Sequence, residues 1–448
     1  MEGFKEVVML RKEAIQTWKI SLPIILGELS QMALHIIDSA MVGRINYKQL
    51  AASSLVNSVM NIPFVFGIGI TISVAQMVSA SHGRKDGFKI SHYLFNGFWL
   101  CTVTGIIIAL GLDLGTPVLF HLKQDPEVAT LATPYMRIMS WSLLPMLMFM
   151  ALKQFTDGLE KTRTAMLLSL IALPLNVLLN WLFIYGNWGF PRLELRGAAI
   201  GTLITRTFIF IALASVVFTH PLFRKYIAVR KNQWKLKKQT IRELLHIGIP
   251  SSLQLGLEVA AFAVSGIMIG AISAVDQAAH QIAISCAAFA FMTPLGLGQG
   301  ASIRISNAWG RKDKPAIASI AKGTLLTGIV YGICCATFFS IFRKQLALSF
   351  NNDVNVVTLA ATLLLAAAIF QISDAIQALS AGMLRGIKDV KVPTIYVSLA
   401  YWAVGIPVGY LLAFHFHLGA IGSWIGFIAG LSFSAVMLSI RLLKKIKE

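Results

Sequence analysis

The chain has 448 residues, 56% of them hydrophobic and 13% charged, with a mean hydropathy of +0.71. Soluble domains run near roughly 45–50% apolar and about 25% charged, so a water-soluble globule is excluded. The 39 basic and 20 acidic residues give a formal charge of +19, but the excess sits in short segments between long apolar runs. That pattern orients membrane helices; it is not a nucleic-acid footprint.

In chain order, the N-terminal stretch Met1 to Lys19 mixes Glu with Lys and Arg and has no cleavage-site pattern, so no removable signal peptide is expected. A helix needs about 20 mostly apolar residues to cross the hydrocarbon core, because its backbone polar groups must be satisfied within the segment. Twelve stretches qualify, near 18–43, 50–81, 90–114, 128–156, 164–186, 197–219, 243–270, 275–304, 316–342, 354–384, 393–413 and 419–441. An even number of spans puts both chain ends on one side. Thirty of the 39 Lys and Arg fall on that side and seven opposite, with Arg137 and Arg206 inside spans. The positive-inside rule then places both ends in the cytoplasm, as expected of a multi-pass protein of a bacterial inner membrane.

The longest connection, about Pro221 to Arg242, is basic and too short for a nucleotide-binding domain, and no G-x-x-x-x-G-K-[ST] loop is present. ATP is therefore not an expected partner. Gly296, Gly298 and Gly300 superficially suggest a dinucleotide fingerprint, but they lie inside a span with no strand before them, which points to helix packing. Cys101, Cys286, Cys334 and Cys335 all sit in apolar stretches and suggest no disulfide framework or metal site.

A shift of 227 residues superposes Pro23 on Pro250, Gly43 on Gly270, Ala51-Ala52 on Ala278-Ala279, Gly69 on Gly296, and Gly83-Arg84-Lys85-Asp86 on Gly310-Arg311-Lys312-Asp313. No gap is needed. The expectation is an all-α membrane protein of two six-helix lobes, 1–220 and 243–448, joined by a basic linker at 221–242. With an even number of spans per copy the repeat is parallel, its axis along the membrane normal, as in alternating-access transporters.

Charges at bilayer depth are costly and point to function. Glu28, Gln31, His35 and Asp38 follow one helical face of the first span, which must look into the protein or a wet cavity. In the fifth span Asn176 and Asn180 form an i, i+4 pair. Glu258 follows Gln254 by one turn in the seventh span, and Asp374 lies between Gln371 and Gln377 in the tenth. His280, early in the eighth span, serves as either an interhelical hydrogen-bonding group or a relay. Carboxylates among amides can bind Na⁺ through oxygen ligands or exchange protons, and they attract cationic cargo. Gln31 and His35 fit a structural hydrogen-bond stripe as well as they fit a site. The 16 Met and 27 Phe supply adaptable apolar contacts.

The run from Pro23 to Gly43, the segment Ala278-Ala-His280-Gln-Ile-Ala, and Asp374-Ala-Ile-Gln-Ala-Leu-Ser-Ala-Gly-Met-Leu-Arg-Gly386 together resemble the multidrug and toxic compound extrusion (MATE) family, nearest its NorM-like branch. The resemblance covers nearly the whole chain. It implies two lobes around a central cleft and export of amphipathic organic cations, drugs or toxins, in exchange for Na⁺ or H⁺, with no bound cofactor and the monomer as the working unit. It assigns Asp38 to the first-helix carboxylate, Asn176 and Asn180 to the N-lobe cavity, and Glu258 with Asp374 to the paired acids implicated in cation binding. The rival expectation is a flippase for a lipid-linked precursor, which needs a cleft rich in Arg and Lys.

Overall fold

The computed structural model describes residues 2–121, 125–227 and 234–447. The part of the expected linker at 228–233 lies outside them. Among the described residues the protein is almost entirely helical, with 12 helices long and apolar enough to cross a membrane. They are α1 (Glu2–Gly43), α2 (Tyr47–Gly83), α3 (Gly87–Leu114), α4 (Pro126–Gly158), α5 (Thr162–Phe183), α6 (Glu194–Thr219), α8 (Lys238–Gly270), α9 (Ala274–Arg311), α10 (Lys314–Leu348), α11 (Val354–Gly386), a composite helix over Lys391–His415, and α14 (Gly419–Lys447). The composite helix comprises α12 (Lys391–Leu399) and α13 (Ile406–Tyr410), each followed by a π-helical turn. A short helix, α7 (Pro221–Ile227), follows α6.

Polar caps start the helices where the sequence changes from loop to apolar run. Asn46, Asp86, Asp125, Ser273, Asp313 and Asp353 each accept a backbone N–H of the first turn. The duplicated Gly-Arg-Lys-Asp is explained by this chemistry. Lys85 and Lys312 take the left-handed conformation that ends a helix, with φ of 58° and 61°. The next residue, Asp86 or Asp313, then caps α3 or α10 by accepting from Lys89 N at 3.0 Å or Ala316 N at 3.1 Å.

The repeat persists in packing. In one half α4 packs against α2, α3 and α6; in the other α11 packs against α9, α10 and α14. Gln49 accepts from Leu195 N at 3.0 Å, and its counterpart Asp276 accepts from Ala420 N at 2.9 Å.

Two compact units result, one of Leu26–Ser252 and one of Met1–Ile25 with Leu253–Glu448. These limits differ from the expected division at 220 and 243. Each leading half-helix belongs with the other half of the sequence, and the breakpoints at 25 and 252 are one repeat length apart. Two residues before each lies a proline, Pro23 or Pro250, which has no N–H for the helical ladder. Glycine faces receive the exchanged segments. A Cβ at Gly69 would collide with the Ser252 backbone, and one at Gly296 with Ile25; a Cβ at Gly300 would strike Ser21. The glycines of α9 are therefore packing residues, as their place inside a span implied.

Candidate functional site

Each unit holds its own cluster of polar groups within its spanning helices, some buried and some, such as Asp38 and Glu258, half-buried. In the 26–252 unit, Gln31, His35, Asp38, Asn176, Thr202 and Arg206 line a cavity of about 20 Å³ formed by α1, α5 and α6. That volume is enough for about one water molecule or a small ion. Asn180 Nδ2 donates to Asp38 Oδ1 at 2.6 Å and to Asn176 Oδ1 at 3.1 Å. Thr202 Oγ1 donates to Asp38 Oδ2 at 3.3 Å. Gly201 makes room for the amide, since a Cβ there would meet Asn180 Oδ1 at 2.6 Å. Arg206 donates from Nη1 to Ser142 Oγ at 2.7 Å. Among the described residues no ion pair to Asp38 is formed. The face read from the sequence at 31, 35 and 38 thus meets the Asn176–Asn180 pair in space.

Glu28 has a different setting from the one expected. It is absent from the residues lining the cavity and pairs with Lys153 Nζ at 3.4 Å. Asp157 lies on the other side of the same ammonium at 3.2 Å. The sequence count named only Arg137 and Arg206 inside spans, although Lys153 falls within the fourth, and so missed this cluster. Its side chain is 6% exposed, well inside α4. Arg304 and Arg385 are buried too, so Arg137 and Arg206 are not the only cations within spanning helices. Arg137 itself is largely exposed and pairs with Asp113 at 3.6 Å.

In the second unit Tyr401 Oη donates to Glu258 Oε1 at 3.0 Å, and Gln377 Nε2 donates to the same oxygen at 3.3 Å. Tyr401 stands in the π-helical turn Ala400–Gly405. Such turns re-aim side chains and recur at functional positions. Asp374, buried on α11, lies within electrostatic reach of Glu258. Among the described residues neither acid has a basic ion-pair partner. The Gln377 Oε1 and Gln371 Oε1 atoms are buried without donors, while Gln371 Nε2 is fixed by Ala287 O at 3.1 Å. The two carboxylates supply hard oxygen donors, the chemistry that holds Na⁺ or a proton. Phe262, Phe370, Trp424 and Phe427 pack edge-on or tilted beside this group. His280 belongs to that aromatic wall: Trp424 Nε1 donates to its Nδ1 at 3.2 Å, and among the described residues no acid hydrogen-bonds to it. Gln254 is buried on α8. Tyr401 was not singled out by sequence, since a π turn has no local signature.

Twelve membrane-length helices, two equivalent units and buried carboxylates within each define a membrane transporter scaffold. The MatE family pattern matches residues 23–182 and again 250–411, and the chain belongs to that family. The two matches start one repeat length apart. Among full-length relatives, a probable multidrug resistance protein NorM of Rhizobium meliloti (strain 1021) is 33% identical, over 96% of this chain and 93% of the relative. The protein of the same description from Brucella suis biovar 1 is 34% identical over 98% and 96%. The crystal structure of the eukaryotic MATE transporter AtDTX14 superposes with a TM-score of 0.89 at 20% identity, covering 97% of this chain and 96% of that one. It confirms the fold.

Proposed function

We propose that this chain is a secondary active multidrug efflux antiporter, exporting amphipathic organic cations in exchange for Na⁺ or H⁺. The observation that carries the reading is three carboxylates within spanning helices, the half-buried Asp38 and Glu258 and the buried Asp374, held by neutral donors or by none rather than by a cation. A buried carboxylate without a counter-ion is expensive unless a mobile cation completes it. The printed descriptions of the NorM relatives support the multidrug cargo. The basic asymmetry supports both ends being cytoplasmic, and the bacterial origin of the NorM relatives supports an inner-membrane location. No chemical conversion of cargo is part of the reading.

Coupling requires that the driving ion bind one conformation better than the other; equal affinity would shift nothing. One charge moving through 100 mV supplies about 2.3 kcal/mol. The flippase reading is not favoured, because the buried Lys153 and Arg304 have local partners. Lys153 is held by Glu28 and Asp157, and Arg304 by Glu13, Gln16 and Thr17.

Reconstitution into liposomes with a Na⁺ or a pH gradient imposed separately, following ethidium, tests the proposal. One gradient should drive transport. Asp38→Asn, Glu258→Gln or Asp374→Asn should abolish coupling at the position that carries the ion, with insertion unchanged. Transport indifferent to both gradients would refute antiport; full rates in all three variants would refute the site.

A further inference from the structure

The buried arginines of the spanning helices differ in what holds them. Arg304 has an acid, an amide and a hydroxyl, and Arg206 has Ser142. Arg385, 6% exposed on α11, makes no side-chain hydrogen bond or ion pair among the described residues, and its Nε is buried without an acceptor. The repeat sharpens the contrast. Glu160 after α4 and Lys388 after α11 share a left-handed backbone, with φ of 62° and 65°, and counting back from each sets Arg385 on Asp157 and Ala381 on Lys153. Asp157 has its counter-ion one turn earlier, at 3.2 Å. Arg385 has only a methyl group there. A guanidinium left unpaired inside a protein is costly, and its place in the last turn of α11, where the helix dipole favours a cation, offsets a small part of that cost.

What Arg385 faces is the acid cluster of its own unit. It follows Asp374 by about three turns on the same face of α11, and Gln377 by about two. Helical side chains lean toward the N-terminal end, here toward that cluster. Glu258 lies within electrostatic reach of the guanidinium, yet the two form no ion pair. Tyr401 and Gln377 both donate to Glu258 Oε1; among the described residues Oε2 has no partner. The other titratable groups of the cluster are Asp374 and Tyr401, with Tyr331 of α10 acting on Asp374. From α9 and α14, His280 and Trp424 stand on the aromatic wall.

A carboxylate with one open oxygen and a guanidinium with open donors, held just apart, make a pair that can close, and the planar fork suits that partner. We propose that Arg385 is the internal counter-ion of Glu258, pairing with the carboxylate while the site is empty and giving way when the driving cation binds. The inference rests on the antiport reading and deepens it: a site that closes on its own arginine when empty binds the ion differently in its two arrangements, which is what coupling requires.

Ethidium transport by the reconstituted full chain, measured against Na⁺ concentration and against pH, tests this. Arg385→Gln removes the competitor, so the half-saturating concentration of whichever ion drives transport should fall about tenfold, from the low end of the coupling between close charge pairs. For H⁺ that is a midpoint about one pH unit higher. Arg385→Lys keeps the charge without the fork and should shift about threefold in the same direction; it carries the test alone if Arg385→Gln fails to insert. Lys391→Gln, at an exposed position just beyond α11, removes the same charge in contact with solvent and should stay within about twofold. A wild type that antiports, with ion dependence unchanged or weakened in the Arg385 variants, would overturn the counter-ion and leave the function standing, because loss of a merely structural arginine does not tighten ion binding. An equal shift in Lys391→Gln would make the effect diffuse and overturn it too. A wild type indifferent to both gradients would overturn the antiport reading and the counter-ion with it.

Discussion

Replacing Lys153 by Met should strand two carboxylates inside α4 and α1. At an effective dielectric constant near 20, the pairs at 3.2 Å and 3.4 Å each contribute about 5 kcal/mol of attraction before desolvation is charged against them. Net losses on removing one partner of such a group run about 3–5 kcal/mol. For a unit of this size that corresponds to a melting temperature lower by about 10 °C. The charge of the cluster gives an order among variants. Lys153→Met leaves two negative charges, Lys153→Met with Asp157→Asn leaves one, and Asp157→Asn alone leaves a neutral pair. Thermal unfolding of the purified protein, followed by tryptophan fluorescence, should rank Lys153→Met as least stable, the double variant as intermediate and Asp157→Asn as closest to wild type. Glu28, 19% exposed, can recruit water and softens the double variant's loss. A Lys153→Met protein melting within about 2 °C of wild type, a shift smaller than about 1 kcal/mol implies, would refute the account. Strictly additive losses in the double variant would do the same.

Three further outcomes follow from the geometry. Gly69→Val should cost about 3 kcal/mol or abolish folding, because the new side chain meets the backbone at Ser252; yield of monodisperse protein on size exclusion reads it, and a normal yield would contradict the close approach. Asn180→Ala removes the shared donor to Asp38 and Asn176 and should cost about 2 kcal/mol in thermal unfolding, a loss that Asp38→Asn should largely suppress by removing the charge that needs it. Asp86→Ala and Asp313→Ala should each cost about 1 kcal/mol as lost helix caps, and the double variant should show their sum, because the two caps share no partner; a sum short by half would indicate coupling between the turns.

Much of this architecture could be read directly from residues. Twelve apolar runs became the twelve spanning helices, since hydrocarbon thickness leaves the chain little choice. The spacing of Gln31, His35 and Asp38 placed them on one face, and the cavity in the 26–252 unit is built on that face. What local pattern could not supply was pairing across helices. Lys153 and Glu28 are 125 residues apart in the sequence, and a lysine near the end of a span looks the same whether it reaches headgroups or turns inward to an acid. The unit limits were hidden for a related reason: α1 and α8 are unbroken helices, and nothing in an unbroken helix announces that its first part packs with other neighbours. The repeat register held that information, but only once the glycine faces opposite Ile25 and Ser252 were known.

That exchange bears on ancestry and on dissection of the chain. If a half-length forebear existed as a separate polypeptide, its folded form was an arm-swapped pair, each copy lending its opening segment to complete its twin. Cutting the present chain between α7 and α8 would leave fragments that each carry a piece the other requires, so neither would close its bundle alone, while the two produced together could rebuild both.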